Sequence, residues 1–143
     1  MGFSRGQKLI KKYEYDFAVD GGAVSAIPLR STSSALHAGC HITNMYIITE
    51  TLITSDGSPT MVIGNTTDAD GYFADITALV SGSVDGSLMN GEVAGALLWD
   101  DTNDHAIMYS PTEDADDLDM NLTIGTAALT AGKFALYVEF FRG

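Results

Sequence analysis

The stretch His41–Ile53, HITNMYIITETLI, decides the fold class. It is dense in Ile and Thr and holds no Gly or Pro, so its branched side chains favour extended backbone. Apolar groups fall on both faces: Ile42, Tyr46 and Ile48 on one, Met45, Ile47 and Ile53 on the other. Such a strand is expected to be central and covered on both sides for part of its length. Immediately after it, Ser55-Asp56-Gly57-Ser58 reads as a turn and Pro59–Gly64 as the returning strand, the clearest hairpin of the chain.

Outward from this centre the chain reads as further strands. Tyr13, Tyr15, Phe17 and Val19 alternate with Glu14, Asp16 and Ala18, the period of a half-buried strand. Asp20-Gly21-Gly22 turns the chain into a short strand over Ala23–Leu29, where Pro28 lacks an amide hydrogen and belongs at an edge or an end. Near the C-terminus Phe134, Leu136, Val138 and Phe140 alternate with Lys133, Ala135, Tyr137 and Glu139, after a turn at Ala131-Gly132. His105–Tyr109 and Met120–Gly125 read as strands, Asp75–Val80 and Glu92–Trp99 are ambiguous, and Asn65–Gly71, Ser81–Gly91 and Pro111–Asp119 read as loops. About eight short strands with little helix predict an all-β chain, a jelly-roll-like antiparallel β-sandwich, in one domain over 13–143.

Charge divides the chain. The net charge is -12, from 7 Lys and Arg against 19 Asp and Glu over 143 residues. Residues 1–12 carry Arg5, Lys8, Lys11 and Lys12 with no acid, and read as a basic N-terminal arm outside the strand pattern. The acidic remainder is expected to repel nucleic acid and anionic membrane. No stretch approaches the roughly 20 apolar residues of a membrane-spanning helix, and the N-terminus lacks the apolar core of a signal peptide.

No constellation amounts to an active site, and no cofactor is expected. Cys40 is the single cysteine; beside His41 and near His37 it suggests a metal or a thiol nucleophile, but reads better as a small buried residue at a strand start. Asp68-Ala69-Asp70-Gly71 fails the EF-hand spacing, because position 12 is Leu79, and reads as a turn. Glu113, Asp114, Asp116, Asp117 and Asp119 form an acidic loop, as do Asp100, Asp101 and Asp104; calcium there is the alternative to plain solvation. His37, His41 and His105 contain no His-x-His pair, which argues against a cupin-like enzyme, and no Gly-x-Ser-x-Gly elbow accompanies Ser33 or Ser34. Trp99 beside Asp100 could stack on a sugar, though a sole Trp more often packs a core.

Three segments resemble small virion proteins of tailed bacteriophages that decorate or cement the capsid. They are Ile27–Ile53 (IPLRSTSSALHAGCHITNMYIITETLI), SDGSPTMVIG with DADGYF over 55–64 and 68–73, and AALTAGKFALYVEF over 127–140. The resemblance implies a jelly-roll-like sandwich on the capsid surface of a virion assembled in the host cytoplasm, often as a homotrimer, with the major capsid protein as partner and no catalytic residues. The contact residues expected are Phe3, Arg5, Lys8, Leu9, Ile10, Lys11 and Lys12 of the arm, the bases pairing with acidic surface and the apolar residues anchoring. The competing reading is a glycan- or receptor-binding module of a tail fibre.

Overall fold

A computed structural model describes residues 8–31, 39–76, 84–86, 95–100, 102–103, 105–111 and 119–141. The described residues form an antiparallel β-sandwich. Its strands are β1 (Lys8–Asp16), β2 (Ala26–Pro28), β3 (Arg30–Ser31), β4 (His41–Ser55), β5 (Thr60–Gly64), β6 (Val84–Gly86), β7 (Trp99–Asp100), β8 (His105–Ala106), β9 (Asn121–Gly125) and β10 (Leu129–Phe141). One helical turn, α1 (Phe17–Asp20), follows β1. The larger sheet has the order β3-β1-β10-β4-β6, the smaller β2-β9-β5, and β7 pairs with β8. The all-β sandwich expected from the strand pattern is therefore the fold, with ten strands among the described residues rather than eight.

The core lies between the two sheets. Tyr13 and Tyr15 of β1, Phe134, Leu136 and Val138 of β10, and Ile42, Met45 and Ile47 of β4 face Ile27, Met61, Ile63, Leu122 and Ile124 of the smaller sheet in one buried cluster. The alternation read at both ends of the chain holds because each strand buries one face. It stops earlier than expected at the N-terminal end. Asp16 accepts from the Ala18 amide at 3.0 Å and caps α1, so Val19 ends up exposed instead of continuing the strand.

Two expectations about the central strand are corrected. Ile42 shares the buried face with Met45 and Ile47, because Asn44 pairs with Glu139 and Ile42 with Phe140, leaving Thr43 as a bulge that inverts the phase. The outer face of β4 is only partly covered, by Tyr46 and Ile48 at half burial. The expected hairpin is absent. β4 pairs with β10 on one side and with β6 and Tyr109 on the other, so β5 crosses to the smaller sheet and pairs with β9. The segment between β9 and β10 crosses beside it in the opposite direction, and the Ser55 hydroxyl donates to the Ala128 carbonyl at 2.6 Å.

Smaller differences have local causes. Pro28 does end an edge strand, as its missing amide requires. Ser81–Gly91 is not wholly a loop, since Val84–Gly86 hydrogen-bonds to β4 as β6. Ala131-Gly132 is not a turn but an irregularity inside β10. Gly132 has φ 133°, and a Cβ there would stand 2.2 Å from Ile53 Cδ1. No helix among the described residues is long and apolar enough to cross a membrane.

Candidate interaction surface

Strand β1 begins at Lys8, so the expected arm ending at Lys12 is corrected: its last five residues belong to the sandwich. The reason is the full register Lys8↔Phe141 to Asp16↔Lys133 with β10. Phe3 and Arg5 lie outside the described residues. Alternation then divides the remaining expected contacts. Lys8, Ile10 and Lys12 face outward; Leu9 and Lys11 face the core with Tyr13.

The outward face of the larger sheet is built in cross-strand rows. Lys12, Tyr137 and Tyr46 form one row, with the two tyrosine rings stacked at 5.5 Å and 18°. Ile10, Glu139 and Asn44 form the next, and Ile10 is 56% exposed. Acids neutralise the bases: Lys8–Glu139 at 3.5 Å, Lys12–Glu14 at 3.1 Å and Lys133–Glu50 at 3.2 Å. Arg30 holds Asp20 through two bonds of 2.9 and 3.1 Å. Burial tends to raise the Asp20 carboxyl, but the Arg30 hydrogen bonds prevail and hold it below its ordinary value. The hydrogen bond to Glu14 pushes Lys12 up in turn.

Every base of the chain precedes Ser31 or follows Gly132, and fourteen of the nineteen acids fall between Asp56 and Asp119. Strands β3, β1 and β10, which carry Arg30, Lys8, Lys12 and Lys133, are neighbours in the larger sheet. Folding thus collects the described surface bases on one charge-balanced face. The basic dozen read from composition is not a free cationic tail over its last five residues. Tyr46, Ile48, Tyr137 and Glu139 of this face were missed, although Tyr137 and Glu139 stand in the outward phase of the C-terminal strand.

Lys11 is 5% exposed, has no hydrogen-bond partner among the described residues and sits 5.3 Å from the Tyr13 ring centroid. Burial lowers its pKa, against a smaller opposing pull from Cys40. The unfolded chain keeps this amine at its ordinary 10.5, so between the two values the unfolded state binds more protons and stability falls as the pH drops. Lys11→Met is therefore expected to stabilise the fold by about 1–3 kcal/mol at neutral pH. The gain should shrink above pH 10.5, where the amine is neutral in both states. Urea melts at pH 7 and pH 11 check this.

Among the described residues the candidate chemical groups are not brought together. Cys40 is buried just ahead of β4, and burial raises its thiol pKa. His41 Nδ1 lies 2.5 Å from Ser110 Oγ. His37, Ser33, Ser34, Asp101, Asp104 and residues 113–118 lie outside the described residues, while Trp99 is in β7 and His105 in β8. Asp68 and Asp70 belong to a turn in which the Gly71 amide donates to the Asp68 carbonyl at 3.2 Å, and burial and then Asp70 push the Asp68 carboxyl up. Among the described residues no group of three or more His, Cys, Asp or Glu is placed to hold a metal.

No family model and no curated protein sequence matches the chain. Solved structures do. A chain of the cyanophage Pam1 capsid asymmetric unit aligns at TM-score 0.65 and 15% identity, covering 100% of this chain and 89% of that one. A chain of the capsid of Ralstonia phage GP4 aligns at TM-score 0.57 and 14% identity, again over 100% and 89%. At these identities the likeness is one of fold: this sandwich is a fold that occurs in the capsids of phages.

Proposed function

We propose that the chain is a structural protein of a phage virion that decorates or cements the capsid exterior as a homotrimer, with the major capsid protein and its own copies as partners. The observation that carries this reading is the fold shared over the full chain with chains of the Pam1 and GP4 capsids. The charge distribution supports it. Copies of a -12 chain crowded on a shell repel one another, and the balanced outer face of the larger sheet is the described surface that can approach a neighbour at least cost. Ile10 and the Tyr46–Tyr137 stack give that face apolar area. Phe3 and Arg5 act ahead of β1, Lys8, Ile10 and Lys12 act from its outward side, and Leu9 and Lys11 support it from within.

The test is electron microscopy of shells incubated with the purified chain, beside a mass measurement in solution. Exterior density on three-fold positions and a mass three times 15.1 kDa are expected. A monomer that leaves shells bare, or density confined to a tail, overturns the reading. Deleting residues 1–12 would remove half of β1 and confound folding with binding, so the informative deletion is 1–7. Ile10→Glu on the exposed outward side of β1 should lower occupancy about tenfold, and unchanged occupancy would remove this face from the proposal.

A further inference from the structure

A groove of about 360 Å³ crosses the outward face of the smaller sheet. Sheet alternation makes its floor. Ile27, Leu122 and Ile124 point into the core, so Ala26 and Pro28 point outward beside Thr123 and Asn121, their partners in register. The loop after β5 makes its wall. Gly64 stands opposite Asn121, and its missing side chain lets the loop lie back across the sheet. Asn65, 2% exposed, clamps that loop: its amide donates to the Asp68 carbonyl at 3.0 Å and its Oδ1 accepts from the Asp68 amide at 2.7 Å. The Thr66 hydroxyl donates to Asp119 Oδ2 at 2.6 Å, tying the wall to the residue that leads toward β9.

Along the groove Asp119, Asn121 and Thr123 recur at alternate positions, about 7 Å apart. Asp119 Oδ1, the Asn121 carboxamide and the Thr123 hydroxyl make no hydrogen bond to the described residues. This lining selects a ligand by elimination. Among the described residues no Lys or Arg lines the groove, and Asp119 with the chain's charge repels anions. Asp119 is the one carboxylate among the described lining residues, too little oxygen charge by itself for a hard cation. Asn, Thr and carboxylate together both donate to and accept from hydroxyl groups, while Ala26 and Pro28 offer C–H surface to the apolar side of a ring.

We propose that this groove binds a neutral saccharide of about one or two pyranose rings, a size suited to its volume. The hydroxyls of the sugar would hydrogen-bond to Asp119 and Asn121, with Thr123 completing the row. The activity is separate from any role in the shell. Proton–nitrogen correlation spectra of the full chain, titrated with glucose, galactose, mannose, N-acetylglucosamine and their disaccharides, test it, with glucuronic and N-acetylneuraminic acids as anionic controls. Shifts gathered on residues 26–28, 64–69 and 119–123 are expected for at least one neutral sugar and for neither acid. Asp119→Asn, which can still accept from Thr66, should weaken binding about tenfold with the spectrum otherwise unchanged, and Thr123→Val should weaken it less. No response to any neutral sugar at tens of millimolar, equal response to the acids, or binding indifferent to both substitutions overturns the proposal.

Discussion

Phe134→Ala is expected to cost about 3–5 kcal/mol of stability and to lower Tm by about 10–15 °C for a chain of this length. Phe134 is fully buried on β10, between β1 and β4 in the larger sheet. It faces Tyr15 on one side and Thr49 on the other, and its ring centroid lies 5.4 Å from that of Tyr15. The loss would be near the top of the range because neighbours cannot close the void. The three strands are held at fixed spacing by their ladders, and the Tyr15 hydroxyl donates to the Gly21 carbonyl at 2.6 Å, which anchors that ring where it is. Burial, then Asp20 and Asp16, push the Tyr15 phenol up to about 12, so it remains a donor across the range used for melting. Tyr137→Ala on the outward side of the same strand removes only the Tyr46 stack and should cost about 1 kcal/mol. Guanidinium melts followed by circular dichroism compare the two. Equal losses would mean that both faces of β10 are packed alike, contrary to the burial pattern.

That contrast rests on the part of the fold most legible in the sequence. Tyr13 and Tyr15, and Phe134, Leu136 and Val138, announce their buried face because each strand has one dry side and one wet side. Partner choice is not written in the same way. Ser55-Asp56-Gly57-Ser58 carries the residues of a reversal, yet no local rule says whether the returning strand rejoins its own sheet or crosses to the other. The crossing is decided by β10, β6 and Tyr109 occupying the two sides of β4. The bulge at Thr43 is equally silent, being a backbone event that shifts Ile42 to the other face without changing composition.

The surface was harder to read than the core. Four bases in twelve residues look like a solvated tail, but Lys8, Lys11 and Lys12 are spaced as a strand would space them, two outward and one inward. Lys12 meets Glu14 along β1 itself, but the partner of Lys8, Glu139, comes from β10, so the full neutral character of the face exists only after β1 and β10 pair. The groove was invisible for a similar reason. Asn65–Gly71 reads as a polar loop from composition alone, and only the register of Gly64 against Asn121 shows what the loop folds onto.

Gly64→Ala is the substitution that tests this last juxtaposition, with an expected loss of about 3 kcal/mol or more. A Cβ at Gly64 would stand 2.0 Å from the Asp68 carbonyl oxygen and 2.5 Å from the Ala69 carbonyl carbon. Both obstacles are backbone, so no rotamer change relieves them and the loop itself must lift. Lifting it breaks the 3.0 Å bond from the Asn65 amide to the Asp68 carbonyl and the 2.7 Å bond from the Asp68 amide to Asn65 Oδ1. It also strains the 3.2 Å bond from Gly71 to the same carbonyl. Each is worth about 1 kcal/mol, and Asn65 is buried enough that its amide cannot turn to water instead. Thr66→Val separates the two ways the loop is held, because it removes only the bond to Asp119 at the exposed rim and should cost about 1 kcal/mol or less. Hydrogen exchange adds a local reading: in Gly64→Ala the amides of Asn65, Asp68 and Gly71 should lose protection while those of β1 and β10 keep theirs relative to global stability. A variant that melts like the parent would show that the loop does not rest on the sheet, and the wall of the groove would go with it.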